Sequence, residues 1–131
     1  MTIKLGAAVV ALGLMGSGAA MAQGPKVTEL MTKALAEHPG KEVEMITVEH
    51  APGGSTPSHR HDAQAFVYVL EGTVVMQLKG GKEVTLKAGD TFYEGPDDVH
   101  LVDRNVSKTE PAKFVVLLIK DKGAPALRPL E

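Results

Sequence analysis

The sequence predicts an all-β fold, a sandwich or closed barrel in one domain. Three features carry that expectation. Short apolar segments with near-alternating pattern recur from Glu42 onward. Clusters of Gly, Pro and Asp separate them, and one continuous apolar run, Phe114 to Ile119, closes the series. A chain of 131 residues is of single-domain length.

The front end is read separately. Met1 to Lys4 carries one positive charge, Leu5 to Leu14 is apolar, and Ala20-Met21-Ala22 has the small-x-small form of a cleavage site. This pattern predicts a secretory signal peptide over residues 1–22, with the mature chain starting at Gln23 and reaching the periplasm or the exterior. The apolar run is too short for a membrane span, and no other stretch is long enough. There is no cysteine, so no disulfide supports the domain, even in an oxidising compartment. Fourteen basic residues against sixteen acidic ones, scattered rather than clustered, give no footprint for nucleic acid.

Residues 23–41 form an N-terminal extension. Val27, Leu30, Met31, Ala34 and Leu35 fall at helical spacing, which predicts a short amphipathic helix ended by His38-Pro39-Gly40. The barrel itself is expected over residues 42–120. Its strands are expected at Glu42 to His50, Ala65 to Leu70 and Thr73 to Leu78. A Gly80-Gly81 hairpin leads back through Val84 to Leu86, followed by Thr91 to Glu94, Val99 to Asp103 and Phe114 to Ile119. The last run is of the kind buried on both faces. Residues 121–131, charged and Pro-containing, are expected to be a surface tail.

Only five histidines occur, and two of them are His59 and His61, just after the Gly/Pro-rich turn Ala51 to Ser58. In a strand, residues i and i+2 share a face, so both imidazoles project together and Arg60 points away. Two inward imidazoles can grip one metal ion. His100, where the Asp97-Asp98 turn meets a strand, is the candidate third ligand. Without a metal, the same three residues would be ordinary polar residues of a barrel interior.

Two longer motifs surround these histidines. Gly53-x-x-x-x-x-His59-x-His61, followed by Tyr68-Val69-Leu70-Glu71-Gly72, resembles the first motif of the cupin superfamily. Ala88-Gly89-Asp90-Thr91-Phe92-Tyr93 through Pro96 to His100 resembles the second. The resemblance implies a double-stranded β-helix, or jelly roll, with one divalent transition metal (Fe, Mn, Ni, Cu or Zn) in the barrel mouth. It also implies homodimers formed by sheet packing. The sequence departs from the pattern where the first motif usually has a Glu, three to four residues past the second His. Here Asp62-Ala63-Gln64-Ala65 offers none. Gln64 is the nearby candidate, through its amide oxygen, but alternation turns it outward unless a bulge intervenes. The Asn expected four residues past His100 is displaced to Asn105.

A donor set of three neutral imidazoles would hold a divalent ion less tightly than one with a carboxylate, and would leave it a stronger Lewis acid. Phe66, Tyr68, Tyr93 and Met45 are the candidate pocket wall. The resemblance then implies a metal-dependent dioxygenase-like enzyme acting on a small enolisable or phenolic molecule. The competing reading is a binding module of the cell envelope that holds a metal or small ligand without turning it over.

Overall fold

The computed structural model describes residues 24–130, so the expected signal peptide lies outside the described residues. No helix occurs among them. The strands are β1 (Lys26–Ala34), β2 (Lys41–His50), β3 (His59–Arg60), β4 (Gln64–Glu71), β5 (Thr73–Leu78), β6 (Val84–Lys87), β7 (Thr91–Glu94), β8 (His100–Asn105), β9 (Ala112–Asp121) and β10 (Arg128–Pro129). They form two antiparallel five-stranded sheets, ordered β1-β2-β9-β4-β7 and β10-β3-β8-β5-β6. The sheets face each other as a double-stranded β-helix. β4 and β9 contribute strictly alternate residues to the interior. Ile46, Val48, Val67, Val69, Phe114, Val116 and Leu118 come from the first sheet, and Val74, Met76 and Leu86 from the second.

The N-terminal extension corrects the sequence expectation. Residues 26–34 form an edge strand instead of a helix, paired with β2 along its length. Helical spacing over so few residues competes poorly with the open ladder of β2, whose backbone groups need partners. Val27, Thr28 and Thr32 are β-branched and suit the extended form. A bulge between Glu29 and Met31 breaks the alternation that a strand reading would have sought.

β9 is the central strand of its sheet. Phe114, Val116 and Leu118 are buried inward, whereas Val115, Leu117 and Ile119 are only half-buried on the outer side. Its apolar run therefore does not lie buried on both faces.

The C-terminal segment is likewise more than a surface tail. Lys120 is buried at the inner end of β9, with its Nζ 2.6 Å from Glu42 Oε1 and 2.7 Å from the Ala124 carbonyl. Gly123 N–H donates to the same Glu42 oxygen at 2.9 Å. This anchor redirects the chain across the barrel, and β10 then pairs with β3. Arg128 completes the strap with an ion pair to Asp62 at 2.8 Å.

The turn between β4 and β5 depends on Gly72, which has φ +76. A Cβ there would lie 2.6 Å from the Pro111 carbonyl oxygen and 2.9 Å from Ala112 Cα. Gly72→Ala is expected to destabilise the domain by about 1–3 kcal/mol through backbone strain, with steric overlap adding to it. Urea denaturation measures the loss, and an unchanged midpoint would contradict this role for Gly72.

Candidate metal centre

The site is built where the two sheets meet at one end of the barrel. His59 and His100 are direct partners across β3 and β8. His61 follows β3, just before Asp62, whose φ of 47 is the one positive value at a described non-glycine residue. That turn ends β3 after two residues and lets the chain cross into β4 of the opposite sheet. An Asp tolerates it better than most residues do. Asp62 itself is tied to Arg60 and Arg128 rather than to the site.

Glu94, the last residue of β7, completes the group. His59, His61, Glu94 and His100 are all buried, and one potential ligand atom from each lies within 4.8 Å of the others. His61 Nε2 is 3.3 Å from Glu94 Oε2, and His100 Nδ1 is 2.8 Å from Glu94 Oε1. The latter approach is a charge contact without hydrogen-bond alignment, so both ring nitrogens of His100 are buried without a directed partner among the described residues.

The other two histidines are oriented from behind. His59 Nδ1–H donates to the Pro57 carbonyl at 2.8 Å, and His61 Nδ1–H donates to the Ala126 carbonyl at 2.6 Å. Those acceptors assign the protons to Nδ1 and leave both Nε2 atoms as lone-pair donors. The two Nε2 atoms face each other at 3.2 Å. Two lone pairs that close repel unless a cation lies between them or one nitrogen is protonated. Two nitrogens sharing one ion at about 2.0–2.1 Å, at an angle of roughly 90–109°, stand about 2.8–3.4 Å apart. The residues present therefore fit a divalent metal.

Titration follows the same geometry. Burial pushes His59 below its ordinary value, with neighbouring His61 and His100 adding to the effect. Burial also pulls on His61, but Glu94, by hydrogen bond and by charge, and the Ala126 carbonyl outweigh it and raise His61. Burial would raise Glu94, yet the His100 and His61 imidazoles hold its carboxyl down to about 2. In the metal-free site Glu94 thus favours a proton on His61.

Glu94 corrects two expectations. The sequence reading found no carboxylate and favoured a neutral donor set, but the site has one. Ala65, at the position where the first motif usually carries Glu, is the direct cross-strand partner of Glu94. The carboxylate reaches the site from the neighbouring strand, over a methyl side chain small enough to admit it. Gln64 is exposed on the outer side of β4 and does not join the group. No bulge at its position reverses the alternation.

The four candidate pocket residues also lie elsewhere. Phe66, Tyr68 and Tyr93 are 44%, 48% and 48% exposed. With Met45 they line a depression on the outer surface of the first sheet. Alternation from the buried Ala65, Val67 and Val69 puts Phe66 and Tyr68 on the opposite face. The cavity at the histidines is walled instead by Ile46, Val48, Phe114 and Val116. Pro25, Val27 and Leu127, from the two terminal segments, close its mouth.

Three comparisons bear on the chain. The family model described as "Cupin domain" matches residues 46–118, more than half of the sequence. No curated protein matches. Among solved structures, a cupin domain from Bordetella pertussis Tohama I is 23% identical, with TM-score 0.58, over 74% of this chain and 94% of that one. A protein with a double-stranded β-helix domain from Klebsiella pneumoniae is 23% identical, with TM-score 0.64, over 82% and 84%. An oxalate oxidase is 30% identical, with TM-score 0.63, over 85% of this chain and 57% of its own.

Metal uptake must displace the His61 proton. Divalent-metal affinity is therefore expected to rise with pH through the elevated His61 value, above 6.5, and to level off beyond it. In the metal-free protein, Glu94 stabilises the fold above its unfolded value of 4.5, and this contribution is lost as pH falls towards about 2. The raised His61 adds stability below 6.5 that is lost as pH rises through its folded value. Zinc titration calorimetry across pH checks the first point. Flat affinity between pH 6 and pH 8 would contradict the protonated His61–Glu94 pair.

Proposed function

Because the chain belongs to the cupin family, we propose that it is an exported metalloprotein holding one divalent transition metal through His59, His61, Glu94 and His100. Its partner is a small enolisable or phenolic molecule. The observation that carries this reading is the pair of Nε2 lone pairs opposed at 3.2 Å, each imidazole already committed through Nδ1 to a backbone carbonyl. Imidazoles with one carboxylate suit Fe, Mn, Ni, Cu or Zn. The Met1 to Ala22 pattern supports export, to the periplasm or outside the cell.

When bound, the metal would supply a Lewis acid for a ligand oxygen, the chemistry of a dioxygenase-like enzyme. The chain's own residues do the rest. Glu94 lowers the charge of the centre, and the Pro57 and Ala126 carbonyls hold two ligand rings in orientation. The apolar wall of Ile46, Val48, Phe114 and Val116 keeps water out. The alternative reading, a module that binds without turnover, is favoured by the lining that Pro25, Val27 and Leu127 add from the two terminal segments. Oxygen consumption with added diketones or flavonols separates the two. Uptake above the rate of the His100→Ala variant supports the enzyme, and equal rates support the module.

We further propose that the protein is a homodimer through the outer face of the first sheet. Register aligns Met31, Met45, Leu117, Phe66 and Tyr93 in one row across all five strands. The Phe66 and Tyr93 ring centroids are 5.2 Å apart. An apolar row of that width suits a second copy packed sheet on sheet.

Elemental analysis of protein purified without a metal-affinity tag tests the centre. Near-stoichiometric metal is expected in the wild type and in Gln64→Ala, and none in the triple His59/His61/His100 alanine variant. Glu94→Ala should lose at least the roughly 10–100-fold in affinity that loss of a supporting group costs. No metal in folded wild type would overturn the proposal. For the dimer, sedimentation should show two copies in the wild type and one for Phe66→Glu. A monomeric wild type would remove the interface.

A further inference from the structure

A buried polar pair, Asp103 and His50, adjoins the same cavity, and Asp103 lines it. β8 carries a bulge: Gln77 pairs with Val102 and Leu78 with His100, so Leu101 has no partner of its own. The extra residue shifts the alternation, and His100 and Asp103, three apart, are both buried inward. Asp103 lines the cavity together with His59, His61, Glu94 and His100.

Behind Asp103 stands His50, the last residue of β2, only 1% exposed. Its Nε2 lies 3.0 Å from Asp103 Oδ1, with Thr56 Oγ1 at 3.4 Å from the same nitrogen. Its Nδ1 is buried with no partner among the described residues. A proton on Nδ1 would be a buried donor with nothing to accept it, which is costly. The neutral ring with Nε2–H donating to Asp103 is the arrangement the surroundings accept. His50 therefore fixes one carboxylate oxygen of Asp103 without neutralising its charge.

Apart from these groups, the histidines, Glu94 and Thr56, the cavity is apolar, and no Lys or Arg is among its described lining residues. The two carboxylates already cancel the charge of one divalent ion, so a dianion would leave this cavity net negative. They suit a neutral molecule bearing one acidic hydroxyl. Its O–H bond would break towards Asp103, which becomes a carboxylic acid. The electron pair would stay on the ligand oxygen, facing the three histidines and Glu94.

We propose that Asp103 is the proton acceptor for a hydroxyl-bearing ligand of this site and His50 its positioning residue, so that the site selects neutral monoprotic ligands over dicarboxylates. This inference rests on the metal-centre reading above.

The test uses zinc-loaded full-length mature protein, with acetohydroxamic acid as the neutral monoprotic probe and oxalate as the dianion. Calorimetry in two buffers of different ionisation heat gives affinity and the number of protons released. Wild type is expected to bind acetohydroxamic acid more tightly than oxalate and to release almost no proton to the buffer. Asp103→Asn should bind the probe roughly tenfold more weakly, the scale of a lost hydrogen bond to a charged group, and release about one proton per ligand. It should also bind oxalate better than wild type does. Equal affinity and proton count in the two proteins, both loaded with zinc, would overturn the role of Asp103 alone. Failure of wild type to take up zinc would overturn the metal centre and this inference with it. Should Asp103→Asn not fold, the wild-type results still decide: tighter oxalate binding, or a full proton released with the probe, contradicts the proposal.

Discussion

Two imidazole nitrogens, His59 Nε2 and His61 Nε2, face each other at 3.2 Å with their protons held on the far side of each ring. That opposition is the constraint on which the rest of the site depends. It needs positive charge between the rings, supplied by a metal or, in its absence, by a proton drawn to His61 by Glu94. The carboxylate strengthens both solutions, and both need the backbone acceptors that hold the rings in this tautomer.

Those acceptors come from places far apart in the chain. The Pro57 carbonyl belongs to the turn before β3, and the Ala126 carbonyl to the C-terminal strap. The strap is held at one end by the buried Lys120–Glu42 pair and at the other by Arg128 against Asp62. A buried ion pair of this kind is weak support for stability as such. Its consequence here is positional: it directs the strap whose Ala126 carbonyl accepts from His61 Nδ1–H. The mouth of the cavity is covered by the same segment together with Pro25 and Val27. The same strap thus supplies part of the cavity's lining and the acceptor that orients His61.

Much of this was legible in the sequence. Strands β5 and β7 fall where alternation and turn residues predict them, and the three histidines meet as the two motifs imply. Glu94 was not found, because sheet register, which pairs it with Ala65, is a long-range property that local pattern does not contain. The available signal was the absence itself: an alanine at the expected carboxylate position, and an inward-phased Glu six residues before His100. Phe66 and Tyr68 are expected at the pocket wall, although the alternation that turns Gln64 outward turns them outward too. The N-terminal strand was hidden by a bulge that mimics helical spacing, and the strap by a Pro-containing composition that usually marks loose ends.

The most direct measurement is an X-ray absorption spectrum of the zinc-loaded protein, in which imidazole rings are counted by their outer-shell scattering. Three imidazole nitrogens and one carboxylate oxygen at about 2.0–2.1 Å are expected, with the oxygen replaced by water in Glu94→Ala. A shell with fewer than three imidazoles would contradict the four-residue centre.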